Sequence, residues 1–310
     1  MAFDIVIAFF LLGIFARLAG SPIQFPKGLY QTLTLFLMIA IGLKGGVALA
    51  NHGSPTVIPQ SIAVIVFGLA LPLLAFPILY FIGRFQRHDA ASIAAHYGSV
   101  SVGTYAVAVA LLDSQGIVYE PYFPLFVVLL EVPAIAVGIA LASAKGRDVP
   151  LNKLLHEVFL NQGMVLMVGA LLIGYFGAQQ IDSIAPLFIN LFQGALALFL
   201  LEMGMVAASR LKELKGSAGF ILSFGIAMPL IGGLIGCALG IAIGLSTGGA
   251  ILLAVLGASA SYIAVPAAMR VALPQANHSL SITSSLGITF PFNVLLGIPT
   301  YITATQWLTA

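Results

Sequence analysis

Apolar runs of about 20 residues, separated by short polar stretches, recur along the whole chain. A run of this length crosses the hydrocarbon core of a bilayer as an α-helix. The pattern predicts an all-α membrane protein with about ten membrane segments. They are residues 5–18, 28–50, 57–82, 90–112 and 122–143 in the first half, and 161–177, 184–209, 218–245, 248–272 and 280–305 in the second. Pro72, Pro77 and Pro229 predict kinks in the third and eighth segments.

Two of these runs are interrupted in the middle by small and polar residues. Run 248–272 contains Gly-Ala-Ser-Ala-Ser-Tyr at 257–262 with Pro266 shortly after, and run 90–112 contains Gly-Ser-Val-Ser-Val-Gly-Thr at 98–104. Proline lacks an N–H, and its ring opposes the carbonyl four residues before it, so we expect a break near Tyr262. Broken backbone at membrane depth is stable only against protein or a water-filled cavity. Matching interruptions in two halves indicate the binding site of a secondary transporter.

Composition supports the membrane assignment. The chain is 60% hydrophobic and 7% charged, whereas soluble domains carry about 25% charged residues. Water-soluble classes of protein are therefore excluded, and the expected surroundings are lipid. The net charge of +2 is too small to suggest a nucleic-acid partner.

The basic residues predict the orientation. Eleven of the twelve Lys and Arg residues fall in or beside alternate connections between the predicted segments; Lys44 is the exception. Loops rich in Lys and Arg stay in the cytoplasm, so both termini are expected to be extracytoplasmic.

The two halves of the chain resemble each other. Residues 41–48 match residues 199–206, with Lys44 aligned to Glu202, and the stretch that begins at Pro133 matches one that begins at Pro291, about 159 residues further on. Because each half has an odd number of segments, the second copy is inverted in the membrane. We predict a first repeat at 1–143, a cytoplasmic linker at 144–156 and a second repeat at 157–310.

Five stretches together resemble the sodium-dependent bicarbonate transporters that were first described in cyanobacteria and have many bacterial relatives. They are Gly-Leu-Lys-Gly-Gly at 42–46, Gly-Ser-Val-Ser at 98–101, Glu-Val-Pro-Ala at 131–134, Met-Gly-Met at 203–205 with Ser-Arg at 209–210, and 266–270 with Pro-Gln-Ala-Asn at 274–277. The resemblance covers nearly the whole chain. It implies two inverted five-helix repeats with two discontinuous crossing helices, a homotrimer in a bacterial inner membrane, and sodium-driven symport of bicarbonate. In cyanobacterial members a PII-like regulator binds the cytoplasmic face.

The chain departs from that family at chemically important positions. It has Tyr262 where the cyanobacterial pattern has an Asp of the sodium site, and Ala264 and Val265 where the pattern has Ser and Gly. A tyrosine supplies no carboxylate at neutral pH. The alternatives for this chain therefore include a proton-coupled or uncoupled carrier and another small organic or inorganic anion.

The residues of the two interruptions are the candidate binding residues. Half-helix N-termini present unpaired N–H groups and a partial positive charge, which favour an anion without any arginine. Hydroxyls add further donors and acceptors. The alternative interpretation is that small residues only let helices pack closely. The predicted anion-binding residues are Ser99, Ser101, Gly103, Thr104, Ser261, Ala264, Val265 and Pro266.

Three further ionisable residues lie at membrane depth. Glu131 is the remaining coupling carboxylate, and with Ser259 and Ser261 it forms the predicted cation-coupling set. Lys44 and Glu202 occupy equivalent positions of the two repeats, and charges in lipid are usually paired, so a structural ion pair is predicted. An alternative role for that pair is a gate or proton coupling.

Other classes of function find less support. A channel needs a continuous polar pore, and an intramembrane enzyme needs a nucleophile with a base and an orienting group. The sequence has no Gly-x-Ser-x-Gly or Walker motif. We expect no catalytic residues, no metal site and no cofactor apart from a coupling sodium ion.

Overall fold

The chain is helical in a computed structural model that describes residues 4–142, 160, 162–211 and 218–309, and these residues contain no β-strand. The predicted linker at 144–156 lies outside the described residues. The helices are α1 Ile5–Leu18, α2 Lys27–His52, α3 Val57–Pro77, α4 Arg87–Gly98, α5 Val102–Ser114, α6 Pro124–Ala142, α7 Gln162–Phe176, α8 Phe192–Leu211, α9 Ala218–Ala242, α10 Thr247–Ala258, α11 Ala264–Ala272 and the helical run α12 His278–Thr309.

Seven spans in the described part of the chain are long and apolar enough to cross a membrane, with α4 and α5 forming one of them. The shorter apolar helices α1, α7 and α10 lie within the first, sixth and ninth predicted segments. Crossing by all ten segments stays a prediction. The seventh segment was predicted to begin too early: Ala178–Ser183 is a 3₁₀ turn, Pro186–Asn190 is a π-helical turn, and α8 begins at Phe192. Pro186 has no N–H to donate to the preceding helical turn, so a regular helix that continues through this position is disfavoured.

Apolar side chains on the outside of the bundle identify its lipid-facing surface. Phe15 of α1, Val66 of α3, Phe176 of α7 and Leu234 of α9 are all more than half exposed. A large exposed apolar surface is rare on a water-soluble protein, whereas lipid solvates such a surface. The broken helices lie away from this surface, because residues 90–112 and 248–262 are buried without exception.

Glycines bring two pairs of helices into close backbone contact. A Cβ atom on Gly13 of α1 would overlap the carbonyl oxygen of Leu201 of α8. In the same way, a Cβ on Gly174 of α7 would overlap the carbonyl oxygen of Leu43 of α2. Small residues at these positions let the helices approach without side chains between them.

Buried hydroxyls join α4 to α12. The Tyr97 hydroxyl lies 2.7 Å from both Ser284 Oγ and Thr289 Oγ1, and Ser92 Oγ lies 3.1 Å from Ser281 Oγ. Side-chain hydrogen bonds between membrane helices contribute about 0.6 to 2 kcal/mol each. They hold the half-helix α4, and therefore the break that follows it, against α12.

Candidate functional site

The first broken helix changes direction between α4 and α5. Ser99 and Ser101 both have extended backbone, with φ and ψ of −96° and 173° for Ser99 and −103° and 110° for Ser101. Ser101 caps α5, since its Oγ accepts hydrogen bonds from the N–H of Thr104 at 3.1 Å and from Thr104 Oγ1 at 2.9 Å. Because the oxygen accepts both bonds, the proton of the Ser101 hydroxyl is available to a third partner.

The second broken helix leaves helical geometry between Ala258 and Ala264, where α10 ends and α11 begins. The predicted position of the break is confirmed, but the expected cause is corrected. Pro266 is the third residue of α11, where an N–H has no intrahelical partner in any case. Pro266 therefore belongs to the first turn of a new helix and does not interrupt an old one.

The two breaks contact each other through main-chain groups. The Ser101 N–H donates to Ser259 Oγ at 3.1 Å, and the Ser261 N–H donates to the carbonyl oxygen of His96 at 2.8 Å. Ser259 Oγ in turn donates to the carbonyl oxygen of Leu256 at 2.8 Å. These bonds hold the N-terminal ends of α5 and α11 close to one crossing point, where their partial positive charges add.

Several donors at the crossing have no partner. In the described part of the chain the N–H groups of Val102, Gly103 and Ala264 form no hydrogen bond. The Ser99 hydroxyl and the Tyr262 hydroxyl are likewise buried and unpaired there. Buried donors in proteins are almost always satisfied, so these groups require a partner that accepts hydrogen bonds. This arrangement of donors suits a small anion.

Tyr262 fills the space beside the first break. Its ring packs edge-on against Phe290 with centroids 5.3 Å apart. A Cβ atom on Gly103 would lie 2.5 Å from the Tyr262 hydroxyl oxygen and 2.8 Å from Cε1 of Phe199. A side chain at position 103 would therefore displace Tyr262 or Phe199, which favours glycine there.

Glu131 lies close to the first break. Its side chain is 3% exposed and its Oε2 is unpaired. One helical turn further along α6, the Ala134 Cβ would lie 2.9 Å from a Cβ on Gly98, the last residue of α4. The residues of the predicted cation-coupling set are not hydrogen-bonded to one another: among the described residues, no hydrogen bond connects Glu131 with Ser259 or Ser261.

The predicted Lys44–Glu202 ion pair is not formed among the described residues. Lys44 Nζ lies 4.6 Å from the ring centroid of Phe192 and lines a cavity that also contains Asp113. Glu202 Oε2 is buried without a partner. An aromatic face attracts an ammonium group, and the cavity lets that group remain hydrated, so Lys44 needs no ion pair at this depth.

Asn293 is a site-supporting residue that the sequence analysis missed. Its Nδ2 donates to the carbonyl oxygen of Ala258 at 2.8 Å, and its Oδ1 accepts from the Tyr301 hydroxyl at 3.3 Å. It thereby satisfies a carbonyl at the end of α10, which has no helical partner. In the sequence, an Asn within the apolar run 280–305 indicated such a bond, since amides in membrane helices usually bond another helix.

Two half-helices with unpaired N-termini, held together in the buried centre of an apolar helical bundle, define a membrane transporter. The chain belongs to the Na⁺-dependent bicarbonate transporter superfamily, whose family model matches residues 5–306. A search of curated proteins found no match. Membership in this family identifies a transporter and not an enzyme.

Proposed function

We propose that the protein is a secondary active transporter of a small anion, most simply bicarbonate, which binds where the two breaks cross. The observation that carries this proposal is the set of unpaired N–H groups at Val102, Gly103 and Ala264. The family supports bicarbonate as the substrate. A planar oxyanion with three oxygens can accept from several such donors at once.

The side chains around these donors have distinct roles in the proposal. Ser101 and Ser261 donate hydroxyl protons to the anion, and Thr104 orients Ser101 through its two hydrogen bonds. Ser261 Oγ accepts only one long bond, from the Val265 N–H at 3.4 Å, so its proton is free to donate. Ser99 supplies a further hydroxyl. Gly103, Ala264, Val265 and Pro266 keep the site small and its backbone accessible.

The anion crosses the membrane by alternating access between two inverted repeats. Close packing supports the inversion, because α1 packs on α8 as α7 packs on α2. Leu201 and Leu43, which the sequence repeat aligns, supply the contacted carbonyls in the two pairs. Related helices therefore use related contacts, as a pseudo-twofold axis in the membrane plane requires. A homotrimer and docking of a PII-like regulator remain predictions from the resemblance.

Ten crossings place both termini outside the cytoplasm of a bacterial cell. A reporter that is active only in the cytoplasm should be inactive when fused after Ala310 and active when inserted in the linker at 144–156. The paired fusions control for expression of the reporter. An active C-terminal fusion would contradict the proposed orientation, and together with an active linker insertion it would contradict an odd number of crossings in the second repeat.

Removing one donating hydroxyl should weaken anion binding moderately. Ser101→Ala and Ser261→Ala each remove a hydrogen bond to a charged partner, which is worth about 1.5–3 kcal/mol. We expect the half-saturating bicarbonate concentration for uptake into reconstituted vesicles to rise roughly tenfold to a hundredfold. Sodium and proton gradients are applied separately in this measurement, which also tests whether the carrier is cation-coupled.

Ser114→Ala is the matched control. Ser114 is also on α5, but its hydroxyl donates to the carbonyl oxygen of Leu111 at the far end of the helix. This variant should transport as the unmodified protein does. If Ser101→Ala, Ser261→Ala and their combination also transport normally, the breaks serve packing and the anion binds elsewhere.

A further inference from the structure

A cavity lies apart from the crossing, between α2, α5 and the loop at 115–123. Its volume is about 470 Å³, and we call it the vestibule. Its α5 wall consists of Tyr105, Val109 and Asp113, which recur on one face of the helix. The vestibule therefore extends from Asp113, beside the end of α5, to Tyr105, about one turn from the break at Ser101.

Lys44 places a positive charge inside the vestibule. It lies eight residues before the end of α2 at His52, or about 12 Å along the helix axis. Its ammonium group lies over the ring of Phe192, which also lines the cavity. A charge at this depth is unfavourable unless water or an opposite charge solvates it. Among the residues that the structure describes, Asp113 is the only other charged residue that lines the vestibule.

Asp113 is held at the rim by a tyrosine. The Tyr119 hydroxyl donates to Asp113 Oδ1 at 3.1 Å. Burial, and then the carboxylate of Asp113, raise the pKa of the Tyr119 phenol above its ordinary value, so the phenol remains a donor. Among the described residues Asp113 and Lys44 do not approach within ion-pair distance, so the carboxylate does not neutralise the ammonium group directly.

We propose that the vestibule is a second anion-binding site, in which Lys44 holds a small oxyanion on its way to the crossing and Asp113 competes with that anion for the ammonium group. The identity of the anion rests on the proposed function, whereas the positive potential at Lys44 does not. The two charges have opposite effects: loss of Lys44 weakens anion binding in the vestibule, and loss of Asp113 strengthens it.

A cysteine beside Lys44 can measure this potential without any transport assay. Ala48 lines the vestibule on the same face of α2, one turn from Lys44. Cys237 is the single cysteine of the chain and is buried, so Ala48→Cys in a Cys237→Ala background provides one reactive thiol. The detergent-purified protein is treated with anionic and with cationic methanethiosulfonate reagents, and the two rate constants are compared.

Lys44→Gln should lower the ratio of the anionic to the cationic rate constant by about tenfold, because a unit charge acts on the two reagents in opposite directions. Lys44→Arg should preserve the ratio, and Asp113→Asn should raise it. Gln179→Cys, in the exposed turn that follows α7, is the control position and should not respond to Lys44→Gln. Millimolar bicarbonate should slow the anionic reagent at Ala48→Cys when Lys44 is present and should not when Gln replaces it.

An unchanged ratio in Lys44→Gln, or equal protection by bicarbonate with and without Lys44, would overturn the vestibule site. If the ratio and the protection depend on Lys44 but none of the proteins takes up bicarbonate in vesicles, the vestibule stands and the proposed transport function fails. Each variant is compared only after it elutes as one species from size-exclusion chromatography. If Lys44→Gln fails this criterion, Asp113→Asn keeps the test valid, because an unchanged ratio in that variant would also contradict the vestibule site.

Discussion

Replacing Gly103 by alanine should reduce anion uptake to the background of empty vesicles. The added methyl group would lie 2.5 Å from the Tyr262 hydroxyl and 2.8 Å from Cε1 of Phe199, and neither contact can form without movement. Overpacking of this kind costs about 1–3 kcal/mol. The N–H of Gly103 is itself an unpaired donor of the site, so any shift of the backbone also displaces a group that binds the anion.

The expected loss is tested as the initial rate of labelled bicarbonate uptake at equal protein content. Gly169→Ala is the matched control, because a Cβ on this helical glycine of α7 meets no atom within 4 Å. Tyr262→Phe removes the atom nearest to the new methyl group and should restore part of the uptake in Gly103→Ala. Normal uptake by Gly103→Ala alone would show that the donors at the start of α5 do not bind the anion.

The positions of both breaks could be predicted from sequence because their composition is unlike that of the surrounding helices. Glycine and serine cluster around Ser99 and Ser259 within long apolar runs, and such clusters indicate either irregular backbone or close helix packing. The connection between the breaks could not be predicted. That Ser259 Oγ accepts from the N–H of Ser101, and therefore serves the crossing itself, follows from a tertiary contact between the two halves.

The predicted Lys44–Glu202 ion pair was also wrong because it depended on tertiary structure. Alignment of the repeats places Lys44 opposite Glu202 in sequence, but equivalence in sequence does not determine which way each side chain points. The structure offers the Lys44 ammonium the ring of Phe192 and a cavity, neither of which a pattern of charges reveals. The start of α8 at Phe192 was missed for a different reason. The predicted segment was defined by hydropathy alone, which does not show where proline and polar turns end a helix.

Replacing Glu131 by glutamine should abolish cation-driven uptake while the protein still binds the anion. The Glu131 side chain is 3% exposed and its Oε2 is unpaired. A bare carboxylate in such an environment is strongly unfavourable, so it must carry either a proton or a metal cation. Either partner would neutralise Glu131, and in the proposed mechanism this neutralisation couples cation binding to the anion site. Glutamine has nearly the same shape but can carry neither charge.

Uptake of labelled bicarbonate is measured with a sodium gradient, with a proton gradient and with neither. The unmodified protein should respond to one gradient, which identifies the coupling ion, and Glu131→Gln should respond to neither. Protection of Ala48→Cys by bicarbonate gives an independent measure that the variant still binds the anion in the vestibule. Glu202→Gln is the control, because Glu202 Oε2 is also buried and unpaired but lies on α8 and not on α6. Full gradient-driven uptake by Glu131→Gln, or loss of coupling in Glu202→Gln alone, would show that the coupling site is not on α6.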